Sequence, residues 1–260
     1  MLKRRGQERF SGTLRIDGGQ DGTVTMREGL VIAAATAAAP GPEPLLLRSG
    51  RISEHDWTEA FAVGAPAGRL AAELVERELI GVAGLQILAQ VAVVDAIFAM
   101  ALCGVRTCTA ERAGENDLAP LLPVDPGLEV ERVVRETARR LTSAAQWRPL
   151  GLEIHARPQP VAVDPLAAAS DVLARVNGRR TTRDIAFALG RGLFPVMNDL
   201  AQLVQDGHVT YPAAAEEPEQ AASPAPGTGE PATTELPRRR RGASTLPGPR
   251  EDQGGQDVDG

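Results

Sequence analysis

Between Leu79 and Cys103 the chain reads LIGVAGLQILAQVAVVDAIFAMALC, with Gln86, Gln90 and Asp95 as its polar side chains. A run this long and apolar either crosses a bilayer or forms a buried helix around which other elements pack. Asp95 lies toward its C-terminal half, and an ionised carboxylate within a membrane is costly. Gln86 and Gln90, one turn apart, add a polar stripe. The run is therefore read as a buried helix from Val82 to Leu102, with no membrane partner. A second apolar run, Leu30 to Ala39, follows Asp17, Asp21 and Glu28, acids foreign to the basic start of an export signal. With two cysteines in 260 residues, Cys103 and Cys108, reduced thiols and a cytoplasmic location are expected.

A central helix needs partners, and the residues before it supply them. Thr13 to Ile16 and Thr23 to Met26 alternate in the period of strands and flank the turn DGGQDG, which predicts a hairpin. Leu30 to Ala33 is apolar without interruption and reads as a third strand buried on both faces. After the proline-rich break PGPEP, Leu45 to Leu47 begin a short helix that Gly50 ends. Ser53 caps the next helix, with Glu54 and Asp56 in its first turn and Trp57, Ala60 and Phe61 on its apolar face. Leu70, Leu74 and Val75 mark another. Val105 to Ala110 reads as a strand returning to the initial sheet, and Gly127 to Ala145 as an amphipathic helix. The fold class expected is α+β, a small antiparallel sheet with a helical bundle. Only eight residues are aromatic, so aliphatic side chains must fill the core, and aromatic platforms for single-stranded nucleic acid are not expected.

Arg157-Pro158-Gln159-Pro160 is a stiff linker, since each proline fixes φ and biases its predecessor to extended geometry. Beyond it, Asp164-Pro165 opens a helix that ends at Asn177-Gly178. Thr181 and Asp184 have the spacing of a capping box, and Gly190 stops the helix they start. Pro195 opens a third helix, closed by Gly207 before the short strand His208 to Tyr211. Three helices and a strand in this order predict a winged-helix-like module. Residues 213–260 hold few large apolar side chains and are rich in Pro, Glu and Gly, the composition of a disordered tail. Three segments are expected: an α+β domain over 1–157, a winged-helix-like module over 158–212 and a tail over 213–260.

The opening Ser11-Gly12-Thr13-Leu14, the Glu28-Gly29 turn followed by small residues at Ala33 to Ala35, LLLRSGRIS from Leu45, AGRLAAELVERELI and the later helix ending in Arg139-Arg140 together resemble the PATAN-type domain family, similar to the N-terminal region of the PatA regulator. The resemblance covers roughly residues 7 to 211, including VNGRRTTRDIAFALG, and departs from the pattern in the Ala- and Pro-rich stretch Ala37 to Pro44. It implies a non-enzymatic protein of bacterial signalling that works through a protein partner, and it supplies no catalytic residues.

The residues themselves carry no reaction. Cys103 and Cys108 have no second cysteine pair to complete a zinc site, and His55, His155 and His208 lie in no recognisable motif. The glycine-rich turn Gly18 to Gly22 joins two strands, so it lacks the helix N-terminus that cradles phosphate. No catalytic residue, cofactor or metal is expected, and a homodimer is compatible with the pattern. A winged helix, however, is most often a DNA reader. Residues 159–212 are electrically neutral, with 5 basic and 5 acidic side chains. The helix that would enter the major groove carries Asp199 and Asp206, unfavourable beside phosphates. In the alternative reading, a winged-helix transcription regulator, Arg179, Arg180, Arg183 and Arg191 hold backbone phosphates while Asn198 and Gln202 read bases. The run Arg238 to Arg241 is a basic patch in an acidic tail, read as a solvated linker in preference to a nucleic-acid tether.

Overall fold

The computed structural model describes residues 1–114, 119–161 and 170–212. The expected tail, with Arg238 to Arg241, and the Asp164-Pro165 helix start lie outside the described residues.

The architecture is α+β. After a short helix α1 (Leu2–Gln7), strands β1 (Gly12–Gly18) and β2 (Gly22–Arg27) form the expected hairpin, and β3 (Leu30–Thr36) follows. Strand β4 (Val105–Arg112) returns to pair with β1, giving an antiparallel sheet of order β3-β2-β1-β4. Val31 and Ile32 on β3 are both buried, on opposite faces of the pleat. The outer edge of β3 is covered by the chain near Leu128, which exchanges backbone hydrogen bonds with Val31.

Between β3 and β4 lie α2 (Pro42–Leu47), α3 (Glu54–Gly64), α4 (Leu70–Glu76) and α5 (Val82–Leu102). Helix α2 starts earlier than Leu45, because Gly41 at the N-cap and Pro42 inside it give a pre-set start. The Ser53 hydroxyl accepts from the Asp56 N–H at 3.1 Å and caps α3 as expected. Trp57 and Ala60 are buried, but Phe61 is 38% exposed, at the margin of the apolar face.

Helix α5 explains its own sequence. It contributes to three core clusters, so it is apolar on almost every side. Ala89, Val93, Ala96 and Met100 pack on Leu14, Val24 and Met26 of the sheet. Leu85, Leu88 and Ala92 pack on Leu46, Trp57, Leu70 and Leu74. Phe98 and Ala99 pack on helices further along the chain. Burying each such large side chain stabilises the fold by about 1.5–3 kcal/mol. Among the described residues α5 is the one helix long and apolar enough to cross a membrane, and most of it is buried inside the fold.

Helix α6 (Val130–Trp147) lies beside α5, starting three residues after Gly127 because Leu128 is held extended against β3. A 3-10 turn (Leu173–Arg175) precedes α7 (Thr182–Leu189) and α8 (Leu193–Gln205). The capping box is present: the Asp184 N–H donates to Thr181 Oγ1 at 3.1 Å and the Thr181 N–H to Asp184 Oδ2 at 3.0 Å. Gly190 ends α7 at a positive φ of 59°. Gly192 then precedes α8, so Pro195 sits inside the first turn rather than at its start. The linker residues Gln159–Pro160 form β5, which pairs antiparallel with β6 (Val209–Thr210).

The boundary expected at residue 158 divides the sequence but not the core. Ile185, Leu193, Val196 and Leu200 share one cluster with Ala38, Phe98, Ala144 and Trp147, and both segments belong to the compact unit Met1–Glu217. Two helices of 8 and 13 residues are too small to enclose their apolar faces alone and borrow a wall from α5 and α6.

Candidate functional site

The helix pair α7–α8 is the site that the sequence singles out, and its setting is decided at the first turn of α8. Gly192, the N-cap, has no side chain with which to satisfy the free N–H groups there. Asp95, wholly buried on α5, is the anion placed against this turn. Its carboxylate faces the Leu193 and Phe194 N–H groups, where the positive end of the helix dipole favours an anion. Oδ1 accepts from the Arg140 guanidinium of α6, while Oδ2 lies against Gly192, where a Cβ would collide with it, and is buried without a hydrogen-bond partner. Burial pushes the Asp95 carboxyl up, and Arg140 and the α8 N–H groups oppose that shift. One carboxylate thus joins α5, α6 and α8.

The junction continues outward. Arg140 Nε donates to Glu136 at 2.8 Å, and Glu136 also takes a two-pronged contact from Arg139 at 2.8 and 2.7 Å. The Arg140 guanidinium lies 4.8 Å from the Phe194 ring centre, and Phe98 and Trp147 meet the same ring at 5.4 and 5.5 Å. The two arginines hold the Glu136 carboxyl down at about 2, from an ordinary 4.5. A depressed carboxylate adds stability that is complete above its unfolded pKa and is lost as pH falls toward the folded value. Glu136→Gln is therefore expected to flatten the loss of stability between about pH 5 and pH 3 by about 1 kcal/mol, allowing for solvent screening. Urea unfolding at several pH values checks this; Asp95, shifted the other way, is common to both proteins.

Several of the sequence-predicted contact residues have partners within the chain. Arg183 donates to the Ala37 carbonyl and covers the Phe187 ring at 4.5 Å, tying α7 to the loop after β3. Arg191 is held between Asp171 at 3.0 Å and Asp199 at 2.7 Å. Arg180 reaches the Arg175 carbonyl at 3.5 Å. Arg179 is exposed, its own carbonyl accepting from Arg157 at 3.2 Å. On α8, Asn198 is exposed and Gln202 donates to Asp206 at 2.9 Å. Of the four arginines, Arg183 and Arg191 are thus held by partners within the chain, and Arg179 stays exposed.

A second grouping was not legible in the sequence. Cys103, at the end of α5, and Glu153 and His155, about fifty residues later, line one cleft of about 180 Å³. Burial, and then the Glu153 carboxylate, push the Cys103 thiol up, which keeps it protonated and a poor nucleophile. His155 Nε2 is occupied by Gln20 of the β1–β2 turn at 2.8 Å. Among the described residues no three His, Cys, Asp or Glu side chains gather as a metal site.

No family model, curated protein or solved structure matches this chain. The reading of its function therefore rests on the residues and their geometry.

Proposed function

We propose that this chain is a non-enzymatic regulatory protein that acts through contact with another protein, the role implied by its resemblance to the PATAN-type domains. One observation carries the reading. A DNA-reading helix of this topology presents its N-terminal residues to base edges. Here the first turn of α8 packs against the fold: Leu193 and Val196 are buried, Phe194 and Pro195 are half-buried, and the Asp95 carboxylate lies at the N-terminus. What α8 and the residue after it leave exposed is Asn198, Gln202, Gln205 and Asp206, without a cation among them. The packing favours a helix pair used as a structural or docking element.

The alternative, a transcription regulator, draws on the exposed Arg179 guanidinium and the exposed Asn198 amide, both chemically suited to nucleic acid. Cross-linking the full chain in its own host, with parallel recovery of attached protein and DNA, separates the two. A defined protein adduct without an enriched chromosomal segment is the expected result. Enrichment of one chromosomal segment contradicts it.

A further inference from the structure

The outer seam between α5 and α6 is a groove of about 560 Å³. Val91 and Val94 of α5 and Leu128 form its apolar floor. One turn before Val91, Ile87 is 63% exposed. The spacing 87, 91, 94 sets three aliphatic side chains on one helix face, of which Val91 and Val94 are half-buried beside the core and Ile87 stands exposed. The opposite wall carries Arg132, Arg135 and Arg139, at positions i, i+3 and i+7 of α6. Arg139 is held by Glu136, the one acid that lines the groove. Arg132 and Arg135 are exposed and make no ion pair or side-chain hydrogen bond among the described residues.

An apolar ridge beside a line of guanidinium groups is the negative image of an amphipathic helix with an acidic flank. We infer that the α5–α6 groove docks an acidic amphipathic helix of a partner protein, Ile87, Val91 and Val94 receiving its apolar stripe and Arg132 and Arg135 its carboxylates. The inference deepens the protein-contact reading and rests on it. Ile87 to Val94 spans about 10 Å of helix, so a partner helix of about three turns covers the seam. A second copy fits less well, because an isologous contact brings the Arg132 and Arg135 rows of both copies together. Nucleic acid would leave the aliphatic ridge against phosphates. A flat lipid surface would not use a concave seam that also carries Glu136.

The probe is a labelled synthetic peptide of about 16 residues with leucines at i, i+4 and i+7 and glutamates along one flank, titrated with the full chain at about 0.05 M salt. Saturable binding is expected. It should weaken at least about tenfold for the Arg132→Glu, Arg135→Glu double variant and similarly for Ile87→Asp, as loss of about 1.4 kcal/mol or more requires. The double variant should regain affinity for a peptide with lysines in place of the glutamates, which shows that it is folded. Absence of binding, equal affinity of the native chain for the lysine peptide, or indifference to all three substitutions overturns the proposal. So does a dimer that Ile87→Asp dissociates in sedimentation, which assigns the groove to a second copy, or binding to phosphatidylglycerol vesicles that depends on Arg132 and Arg135. A cellular protein adduct that survives in the double variant sinks the groove and leaves the protein-contact reading standing. Enrichment of a chromosomal segment sinks the reading itself.

Discussion

Asp95→Ala is expected to destabilise the protein by about 3–5 kcal/mol, the largest effect of any single change at the junction of α5, α6 and α8. The substitution takes from the Arg140 guanidinium, 12% exposed, its buried partner and leaves it Glu136 alone, and breaking a buried pair from one side is costly because the remaining charge loses compensation. It also removes the anion that faces the N-terminus of α8. A loss of this size is a large part of the 5–15 kcal/mol that holds an ordinary domain. Replacing both partners, Asp95→Leu with Arg140→Met, should cost less than Asp95→Ala alone, since no buried charge remains. Urea unfolding of the two variants measures the difference. Equal stability of Asp95→Ala and the native chain would show that the carboxylate does not hold the three helices together.

Gly190→Ala is expected to cost about 2–4 kcal/mol, for reasons of backbone rather than charge. Gly190 holds a positive φ of 59°, which alone disfavours a Cβ by about 1 kcal/mol. A Cβ there would also lie 2.7 Å from the Arg48 carbonyl carbon and 2.8 Å from the Pro44 carbonyl oxygen, and closer still to the Ser49 nitrogen. These are main-chain atoms at the end of α2, so the clash cannot be relieved by rotating a side chain. The α7–α8 turn would have to lift away from α2. Gly207, also at positive φ but with open space around its Cβ position, is the control. Gly207→Ala should cost only the conformational part, and the thermal unfolding midpoints of the two variants should differ accordingly.

Local chemistry made most of the fold readable. The hairpin turn, the Ser53 and Thr181 caps and the stop at Gly190 each depend on residues within a few positions of one another, and all stand where the spacing put them. The apolar run at Val82 to Leu102 foretold a buried helix, although not that it would serve three core clusters. What the sequence concealed depends on partners far along the chain. Asp95 reads as one polar interruption of an apolar helix, and nothing near it names Arg140 or the α8 N-terminus, 45 residues and more away. Arg183 and Arg191 look like phosphate ligands until Ala37, Asp171 and Asp199 are seen to hold them. Helix–turn–helix spacing describes local geometry, whereas its use depends on which face the rest of the chain covers. A buried carboxylate needs a counter-charge, so Asp95 in an apolar helix itself implies a cation on another element.

The most direct test of the account is the affinity of the purified full chain, and of a variant with Arg238 to Arg241 changed to alanine, for DNA from its own upstream region at about 0.15 M salt. With Leu193 and Val196 of the first turn of α8 buried in the fold, no saturable binding is expected from the variant at any accessible concentration, and any binding by the native chain should vanish with the basic run. Saturable binding by the variant that is lost on changing Arg179 and Arg180 to alanine, with a log-log salt slope of about -2 for two phosphate contacts, would contradict the account and make the helix pair a DNA reader.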